Sequence, residues 1–269
     1  MTSSRGYGIT AFAFIYLGFL YLPIFFLPLF SFNDGVIVAF PIESFSTRWY
    51  SALMNIDALH DALWNSLRVA VSTSILATIL GVFGARAFTR YRFPGRAPLI
   101  SFVMVPLVLP EIIVAISLLI VLVKSGIGLS LVSVTLGHVL LCMPFAMAVL
   151  ISSFEGLDQS LEEASFDLGE SAAWTFWRVI LPIVAPGIIA SLLITFTISL
   201  DEFIVAFFLA GTDPTLPVYI WSQLRFAARL PTVLALGSIM LFASFILLWL
   251  AEMLRRKSQA RSGRSGGFI

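Results

Sequence analysis

Three carboxylates lie inside stretches that are otherwise strongly apolar. Glu111 lies within the run 97–123, and the adjacent acids Asp201 and Glu202 lie within the run 183–211. A charged side chain inside a membrane-spanning helix costs at least ~2.5 kcal/mol, so acids in such positions are functional candidates. Neither run contains a Lys or Arg that would neutralise them. These acids therefore indicate a path for a cationic solute, unless they are protonated or hydrogen-bonded between helices.

The positions of these acids along straight helices set their expected depth. Counted from the inner helix ends, Glu111 lies roughly 21 Å and Asp201 roughly 27 Å deep, in the outer half of the bilayer. Consecutive helical residues point about 100° apart, so Asp201 and its neighbour cannot both face a narrow pore squarely. Pro106 and Pro110 should kink or open the helix before Glu111, because proline has no amide hydrogen to donate. The carbonyls freed there could line a polar passage.

A second group of acids falls between two of the apolar runs, where six carboxylates accompany a single cation, Arg178. Ser160 and Glu163 have capping-box spacing, and Gly169 suits the left-handed residue that ends a helix. Two short helices joined at a sharp turn are expected, and Pro182 should prevent a smooth continuation into the next run. A structured acidic surface indicates a docking site for another protein. The alternative is a solvated helical loop with its tryptophans at the membrane interface.

Other chemistry has little support. His138 and Cys142 lie four residues apart in an apolar run, but two ligands are too few for zinc, so buried helix packing is expected and no metal site is assigned. The single cysteine excludes an intramolecular disulfide framework. The chain has no glycine-rich loop ending in Gly-Lys-Ser/Thr, so it cannot bind ATP in the usual P-loop way.

Membrane-spanning helices are the elements that must position these residues. The 269-residue chain is 59% hydrophobic and 12% charged, with a mean hydropathy of +1.00, whereas a soluble domain has about 25% charged residues. Uninterrupted apolar runs of this length fit helices, which satisfy their own backbone amides in lipid. The six runs long enough to span a bilayer are 8–32, 63–88, 97–123, 129–154, 183–211 and 233–254.

The sixteen Lys and Arg residues favour one orientation of these helices. With a cytoplasmic N-terminus, eleven of them lie on the inner side and five on the outer side, in agreement with the positive-inside rule. Both termini are therefore expected in the cytoplasm. We expect a single transmembrane domain over 1–254, followed by a basic flexible cytoplasmic tail over 255–269.

The acidic loop, 155–182, resembles the EAA loop of permease subunits in binding-protein-dependent ABC importers. That pattern is Glu-Ala-Ala, a Gly four residues after the second Ala, and a terminal Ile-x-Leu-Pro. This chain has Glu-Ala-Ser at 163–165, Gly169, and Val-Ile-Leu-Pro at 179–182, so the spacing is kept and both departures are conservative. The resemblance implies coupling helices that contact a groove of an ATPase subunit. The expected docking residues are Glu162, Glu163, Ala164, Asp167 and Gly169.

Other stretches resemble the spermidine/putrescine permeases of that family. The motif Leu-Pro-Glu within 109–119 is similar to their third-helix motif, and Phe-Thr-Ile-Ser-Leu-Asp-Glu at 196–202 is similar to their Phe-Thr-Leu-Ser-x-Asp-Asp. The segments 46–50 and 90–95 also resemble theirs. Polyamines carry several ammonium groups, so acids and aromatic faces offer them ionic and cation–π contacts. The expected pathway residues are Glu111, Asp201, Glu202, Tyr219 and Trp221.

The resemblance implies an all-α integral membrane protein of the bacterial inner membrane, with six transmembrane helices in the type I ABC importer permease fold. It also implies a non-catalytic permease that translocates a polyamine delivered by a soluble periplasmic binding protein. The expected partners are a homologous second permease, two ATPase subunits, the binding protein and membrane lipid, without nucleic acid. We expect no cofactor on this chain, with ATP and magnesium on the ATPase.

Alternative interpretations stay open at this point. An importer of the same class could carry another amine or cationic small solute. A secondary transporter or channel could use Glu111 and Asp201 to move protons or cations without ATPase subunits, although the acidic loop is then unexplained. An intramembrane enzyme lacks paired histidines, a serine–base arrangement and a cysteine nucleophile in this sequence.

Overall fold

The computed structural model describes residues 3–262, with the side chains of 10–246 and of Trp249. Every regular element in this part of the chain is helical, which confirms the all-α prediction. The α-helices are α1 (Ser3–Ser31), α2 (Arg48–Leu53), α3 (Asp57–Arg90), α4 (Arg96–Met104), α5 (Glu111–Lys124), α6 (Leu131–Glu155), α7 (Ser160–Asp167), α8 (Ala172–Thr175), α9 (Leu181–Asp201), α10 (Ile204–Leu209), α11 (Leu216–Gln223) and α12 (Leu230–Ser262).

Five helical stretches in the described part of the chain are long and apolar enough to cross a membrane, and a bent pair of helices makes up to six. The five are Thr10–Ser31, Asp57–Arg90, Leu131–Glu155, Ala172–Asp201 and Ala227–Ile246. The bent pair is Arg96–Leu107 with Glu111–Lys124. Each of the six apolar runs of the sequence therefore corresponds to one observed span.

The third span is broken rather than curved. A 3₁₀ turn over Val105–Leu107 ends the first half, and the second half leaves at 101°. Pro110 is the N-cap residue of α5, where its missing amide hydrogen removes no helical bond. The predicted kink is confirmed. The depth expected for Glu111 assumed a straight helix, and it stays a prediction.

The fifth span starts earlier than its apolar run. It begins at Ala172 in the loop and passes through a π-helical stretch, Phe176–Ile180, before α9. The Leu181 amide donates to the carbonyl of Phe176, five residues back. This wider turn accommodates Pro182, which would otherwise clash with the carbonyl four residues before it. The expected interruption at Pro182 is thus a π-helical bulge inside a continuous helix.

Small residues bring the spans of one compact unit together. A Cβ atom added to Gly81 of α3 would lie 2.9 Å from Leu150 Cδ1 of α6, so only glycine permits this approach. Thr78 Oγ1 and Ser191 Oγ lie 3.0 Å apart and form a buried hydrogen bond between α3 and α9. The C-terminal end of α3 and the N-terminal end of α9 lie beside the acidic loop. The described residues of this unit are 61–219 and 254–262.

The described residues of the other compact unit are 3–60 and 220–253. Its segment after α1 folds back on the helix end, where Ser31 Oγ lies 2.6 Å from Tyr50 Oη. Helix α12 continues through Ser262, so helix extends into the segment that we expected to be a flexible tail. Residues 263–269 of that segment lie outside the described residues. The single transmembrane domain stays a prediction.

Candidate functional site

The acidic loop forms the two short helices that its sequence predicts. Gly169 has φ +87° and ends α7. Its amide donates to the carbonyl of Phe166 at 2.9 Å, and the amide of Glu170 donates to the carbonyl of Ser165 at 3.2 Å. These two bonds make a Schellman motif, which satisfies carbonyls that the helix itself leaves unpaired. The left-handed conformation expected for Gly169 is confirmed.

The start of α7 differs from the expected capping box. Ser160 lies inside the helix, and the N-cap residue is Gln159, with no side-chain cap. Asp158 Oδ1 instead accepts from the Ser160 amide at 3.0 Å. This backbone hydrogen bond lowers the pKa of the Asp158 carboxyl. Asp158, two residues before Ser160, takes the place of the expected cap because its side chain forms a local turn with the backbone before the helix begins.

Glu162 is buried at the junction of the loop and the membrane helix α3. Arg86 donates to both of its carboxylate oxygens, at 2.5 and 2.8 Å, and Arg90 Nε donates at 3.0 Å. Hydrogen bonds from Arg86 hold the pKa of Glu162 below its usual range, against the opposing effect of burial. A bidentate Arg–carboxylate pair is strong and restricts geometry. We call these three residues the loop clamp.

A second contact closes the loop on itself. Ser165 Oγ of α7 lies 2.9 Å from Thr175 Oγ1 of α8, and both side chains are buried. Ser171 caps α8 by accepting from the Trp174 amide at 3.4 Å. Because α8 is continuous with α9, the loop is attached to a second membrane helix. The loop is therefore a rigid element with one attachment to α3 and one to α9.

The outward face of the loop combines acids with apolar side chains. Four of the five expected docking residues are exposed, namely Glu163, Ala164, Asp167 and Gly169. The exception is Glu162, which is 1% exposed and belongs to the loop clamp. Because it points away from the surface, its place in the expected docking set is corrected to an internal role. Sequence reasoning missed three exposed apolar neighbours, Leu161, Phe166 and Leu168.

Two tryptophans lie at the beginning of the fifth span. Trp174 and Trp177 are both more than half exposed. The Arg178 guanidinium lies 4.3 Å from the centroid of the Trp174 ring and 3.7 Å from Glu170. These surface contacts are weak because water competes for each charge. They contrast with the buried loop clamp a few residues away.

The adjacent acids of the fifth span have opposite environments. Glu202 is 8% exposed and accepts from the amides of Val205 and Ala206 at 2.9 and 3.1 Å. His138 Nε2 of α6 lies 2.9 Å from the same carboxylate. The Glu202 carboxylate is thus hydrogen-bonded to two amides of α10 and lies at ion-pair distance from His138, so its contacts are inside the chain. The sequence contained a signal for this contact, since an acid and a histidine rarely share an apolar core without pairing.

Asp201 and Glu111 are the exposed intramembrane acids. Asp201 is the last residue of α9, and Glu111 is the first residue of α5. Both are exposed on this chain, and in its described part neither has an ion-pair partner. Each lies where a helix is broken, so each stands beside backbone groups that a straight helix would have satisfied. These two positions suit contact with a cationic solute.

The two aromatic candidates lie on α11. Tyr219 is half-buried and Trp221 is exposed. Residues two apart on a helix point about 200° from each other, so these two rings face nearly opposite sides of α11. A shared cage of both rings around one ammonium group is therefore excluded by helix geometry. Each ring could still face a different part of a pathway.

Among the described residues, no three His, Cys, Asp or Glu side chains form a group that could hold a metal ion. His138 and Cys142 are both buried, which confirms their expected helix packing. The Cys142 thiol donates to the carbonyl of Thr195 at 3.7 Å. His138 and Cys142 are therefore buried side chains that form hydrogen bonds inside the chain.

Known proteins resemble this chain in sequence. It is 34% identical over 223 residues to the spermidine/putrescine transport system permease protein PotC of Escherichia coli (strain K12), covering 82% of this chain and 84% of that protein. It is 33% identical over 238 residues to the putrescine transport system permease protein PotI of the same strain, covering 86% and 84%.

A solved structure supports the fold. A bacterial ABC transporter involved in the import of the acidic polysaccharide alginate matches with a TM-score of 0.73 at 17% identity, covering 95% of this chain and 98% of that chain. The family model for the inner membrane component of binding-protein-dependent transport systems matches residues 77–259, which include the acidic loop. The chain belongs to this family of inner membrane transport components.

Proposed function

We propose that this chain is a permease subunit of an ATP-driven importer and that its solute is a polyamine of the spermidine/putrescine class. The observation that carries the proposal is the similarity to two polyamine permeases over more than four-fifths of the chain. Two exposed intramembrane acids agree with a cationic solute. The chain itself performs no chemistry, and its work is to move helices around a passage.

The loop is the element through which a partner drives that movement. Its exposed surface of acids and apolar side chains provides contacts for an ATPase subunit. Because the loop clamp attaches it to α3 and the continuous helix attaches it to α9, displacement of the loop must move both membrane helices. A flexible loop would absorb the displacement, whereas a rigid one produces rigid-body rocking. In this account Glu163, Ala164, Asp167 and Gly169 contact the ATPase.

The passage is lined by the acids at the helix breaks. Asp201 and Glu111 attract the ammonium groups of a polyamine, and Tyr219 and Trp221 add cation–π contacts at separate positions. Glu202, which we first placed in the pathway, acts indirectly by holding the α9–α10 junction. A positively charged solute gains from carboxylates at membrane depth because a low dielectric strengthens each ion pair.

The complete importer contains further subunits. A homologous second permease completes the passage, two ATPase subunits bind ATP and magnesium, and a periplasmic binding protein delivers the solute. This chain spans the bacterial inner membrane six times with both termini in the cytoplasm. That orientation puts the acidic loop on the side where ATP is available, and it is supported by the distribution of Lys and Arg.

The experiment that tests this function is ATP hydrolysis by the complete importer in proteoliposomes. We expect putrescine or spermidine, delivered with the binding protein, to stimulate hydrolysis, whereas a neutral sugar should not. If only a different amine stimulates hydrolysis, the assignment as an importer stands and the assigned solute changes to that amine. Stimulation by the neutral sugar but by no amine would exclude the polyamine assignment.

A further inference from the structure

The break between α9 and α10 is built by one side chain. Helix α9 ends at Asp201, and Glu202 then adopts an extended conformation with φ −69° and ψ 124°. The first amides of a helix have no partner inside it, and the Glu202 carboxylate accepts from two of them, at Val205 and Ala206. The same residue that interrupts one helix therefore starts the next.

That carboxylate is itself held from a neighbouring helix. His138 Nε2 of α6 lies 2.9 Å from Glu202, and His138 Nδ1 lies 2.8 Å from Ser199 Oγ on the last turn of α9. His138 is 1% exposed and Ser199 is also buried. One imidazole of α6 thus contacts both Ser199, before the break, and Glu202, at the break.

Helix α10 is attached to α6 at its other end as well. Ser133 Oγ donates to the carbonyl of Leu209, the last residue of α10, at 3.1 Å. Between the two attachments, a Cβ atom added to Gly137 would lie 2.6 Å from Val205 Cγ1, so α10 fits closely against α6 only because this residue is glycine. The six-residue helix is therefore held along its whole length.

We infer that His138 and Glu202 are positioning residues for solute selection, because they hold the break at which Asp201 is presented. This inference rests on the proposed function. A polyamine places its ammonium groups at chain-length-dependent spacings, so a carboxylate in a fixed position favours some spacings over others. A small displacement of Asp201 should therefore alter the preference among amines more than it alters the rate at which each amine is carried.

The test measures uptake of putrescine and of spermidine by the complete importer. Glu202→Asp shortens the side chain by one methylene, so it cannot reach both amides and His138 together. We expect the ratio of the two apparent KM values to change by about threefold or more. His138→Gln, which can still donate to the carboxylate, should keep the original ratio.

The matched control is Thr78→Val, which removes a buried hydrogen bond between α3 and α9 in the same unit. It should lower the amount of assembled complex and leave the KM ratio unchanged. An unchanged ratio in Glu202→Asp, as in the control, would overturn the inference. The proposed function fails separately, if the native importer carries neither putrescine nor spermidine.

A second measurement applies if Glu202→Asp assembles but carries too little amine for KM values. The native cysteine, Cys142, is buried, so Asp201→Cys supplies one reactive thiol at the break. Its modification rate by a cationic thiol reagent should change about threefold or more when Glu202→Asp is added, because access depends on the position of the residue. An identical rate in both backgrounds would show that Glu202 does not position this site.

Discussion

Two pairs of adjacent acids, Glu162–Glu163 in the loop and Asp201–Glu202 in the membrane, are divided in the same way. In each pair one carboxylate is buried and hydrogen-bonded, while its neighbour is exposed. The buried member organises the backbone, and the exposed member is placed to meet something outside the chain. We propose that this is a partner protein in the loop and a solute in the membrane.

The two buried glutamates differ in what holds them. Glu162 is held by two guanidinium groups from α3, which are charged at every physiological pH. Glu202 is held by an imidazole and by two amides of the helix that it starts. Loss of the first contact frees the loop from α3, whereas loss of the second moves a six-residue helix. We therefore expect loop substitutions to affect transport more strongly.

The largest effect is expected from Glu162→Gln. Loss of a buried charged hydrogen-bond network costs about 2 kcal/mol, which makes detachment of the loop about 30-fold more frequent. Uptake should fall about tenfold or more while ATP hydrolysis continues. The control is Glu170→Gln, because the exposed pair of Glu170 with Arg178 contributes about 0–1 kcal/mol at most. Equal losses in both variants, measured in the same proteoliposomes, would contradict the special role of the loop clamp.

The next effect is expected from Asp201→Asn. Loss of one ionic hydrogen bond to an ammonium group costs about 1.5–3 kcal/mol, so amine uptake should fall about tenfold or more. Assembly with the ATPase should be unaffected. Thr197→Val, at an exposed position one turn earlier in α9, is the matched control and should transport normally. Equal loss of uptake and assembly in Asp201→Asn would instead indicate a folding role.

A smaller effect is expected from Gly169→Ala. A Cβ atom there has open space around it but would have to adopt φ +87°, which costs about 1–2 kcal/mol. Uptake per ATP hydrolysed should fall a few-fold. Gly156→Ala, at the end of α6 with φ −76°, needs no such conformation and should transport normally. If the two alanine variants behave alike, the Schellman motif does not matter for coupling.

The smallest effect is a pH dependence of loop attachment. The pKa of Glu162 is lower in the folded loop than its ordinary value, so its stabilisation is present above the ordinary pKa and is lost as pH falls through the lowered one. A fluorophore on Leu168→Cys, which replaces an 85% exposed side chain, should report an attached loop through pH 5. The same label on the Glu162→Gln variant should report no pH-dependent release of the loop, because glutamine has no carboxyl group to protonate. Release of the native loop above the ordinary Glu pKa of about 4.3 would contradict this assignment.

Local features of the sequence were sufficient for the spans and for the turn at Gly169. The spans follow from the length of apolar runs, and the turn follows from the backbone freedom of glycine. The π-helical stretch before Pro182 was not predicted, since a proline can either end a helix or be accommodated by a wider turn. At Pro106 and Pro110 the kink was predicted, but its angle of 101° was not.

The buried member of each acidic pair could not be predicted from neighbouring residues. Arg86 lies 76 residues before Glu162, and the pairing depends on α3 and α7 meeting in three dimensions. His138 likewise reaches Glu202 only because Gly137 lets α10 approach α6. Sequence spacing within one helix contains no information about such contacts. Four of the five docking positions were nonetheless exposed, because their helix and its turn were local features.

The central claim is that a partner ATPase moves this chain through its rigid loop to carry a polyamine. Its most direct test is spermidine uptake by the two permease subunits in proteoliposomes, with and without the ATPase subunits and ATP. We predict uptake against a gradient only when ATPase, ATP and an intact loop clamp are all present. Concentrative uptake by the permease subunits without the ATPase would contradict this claim.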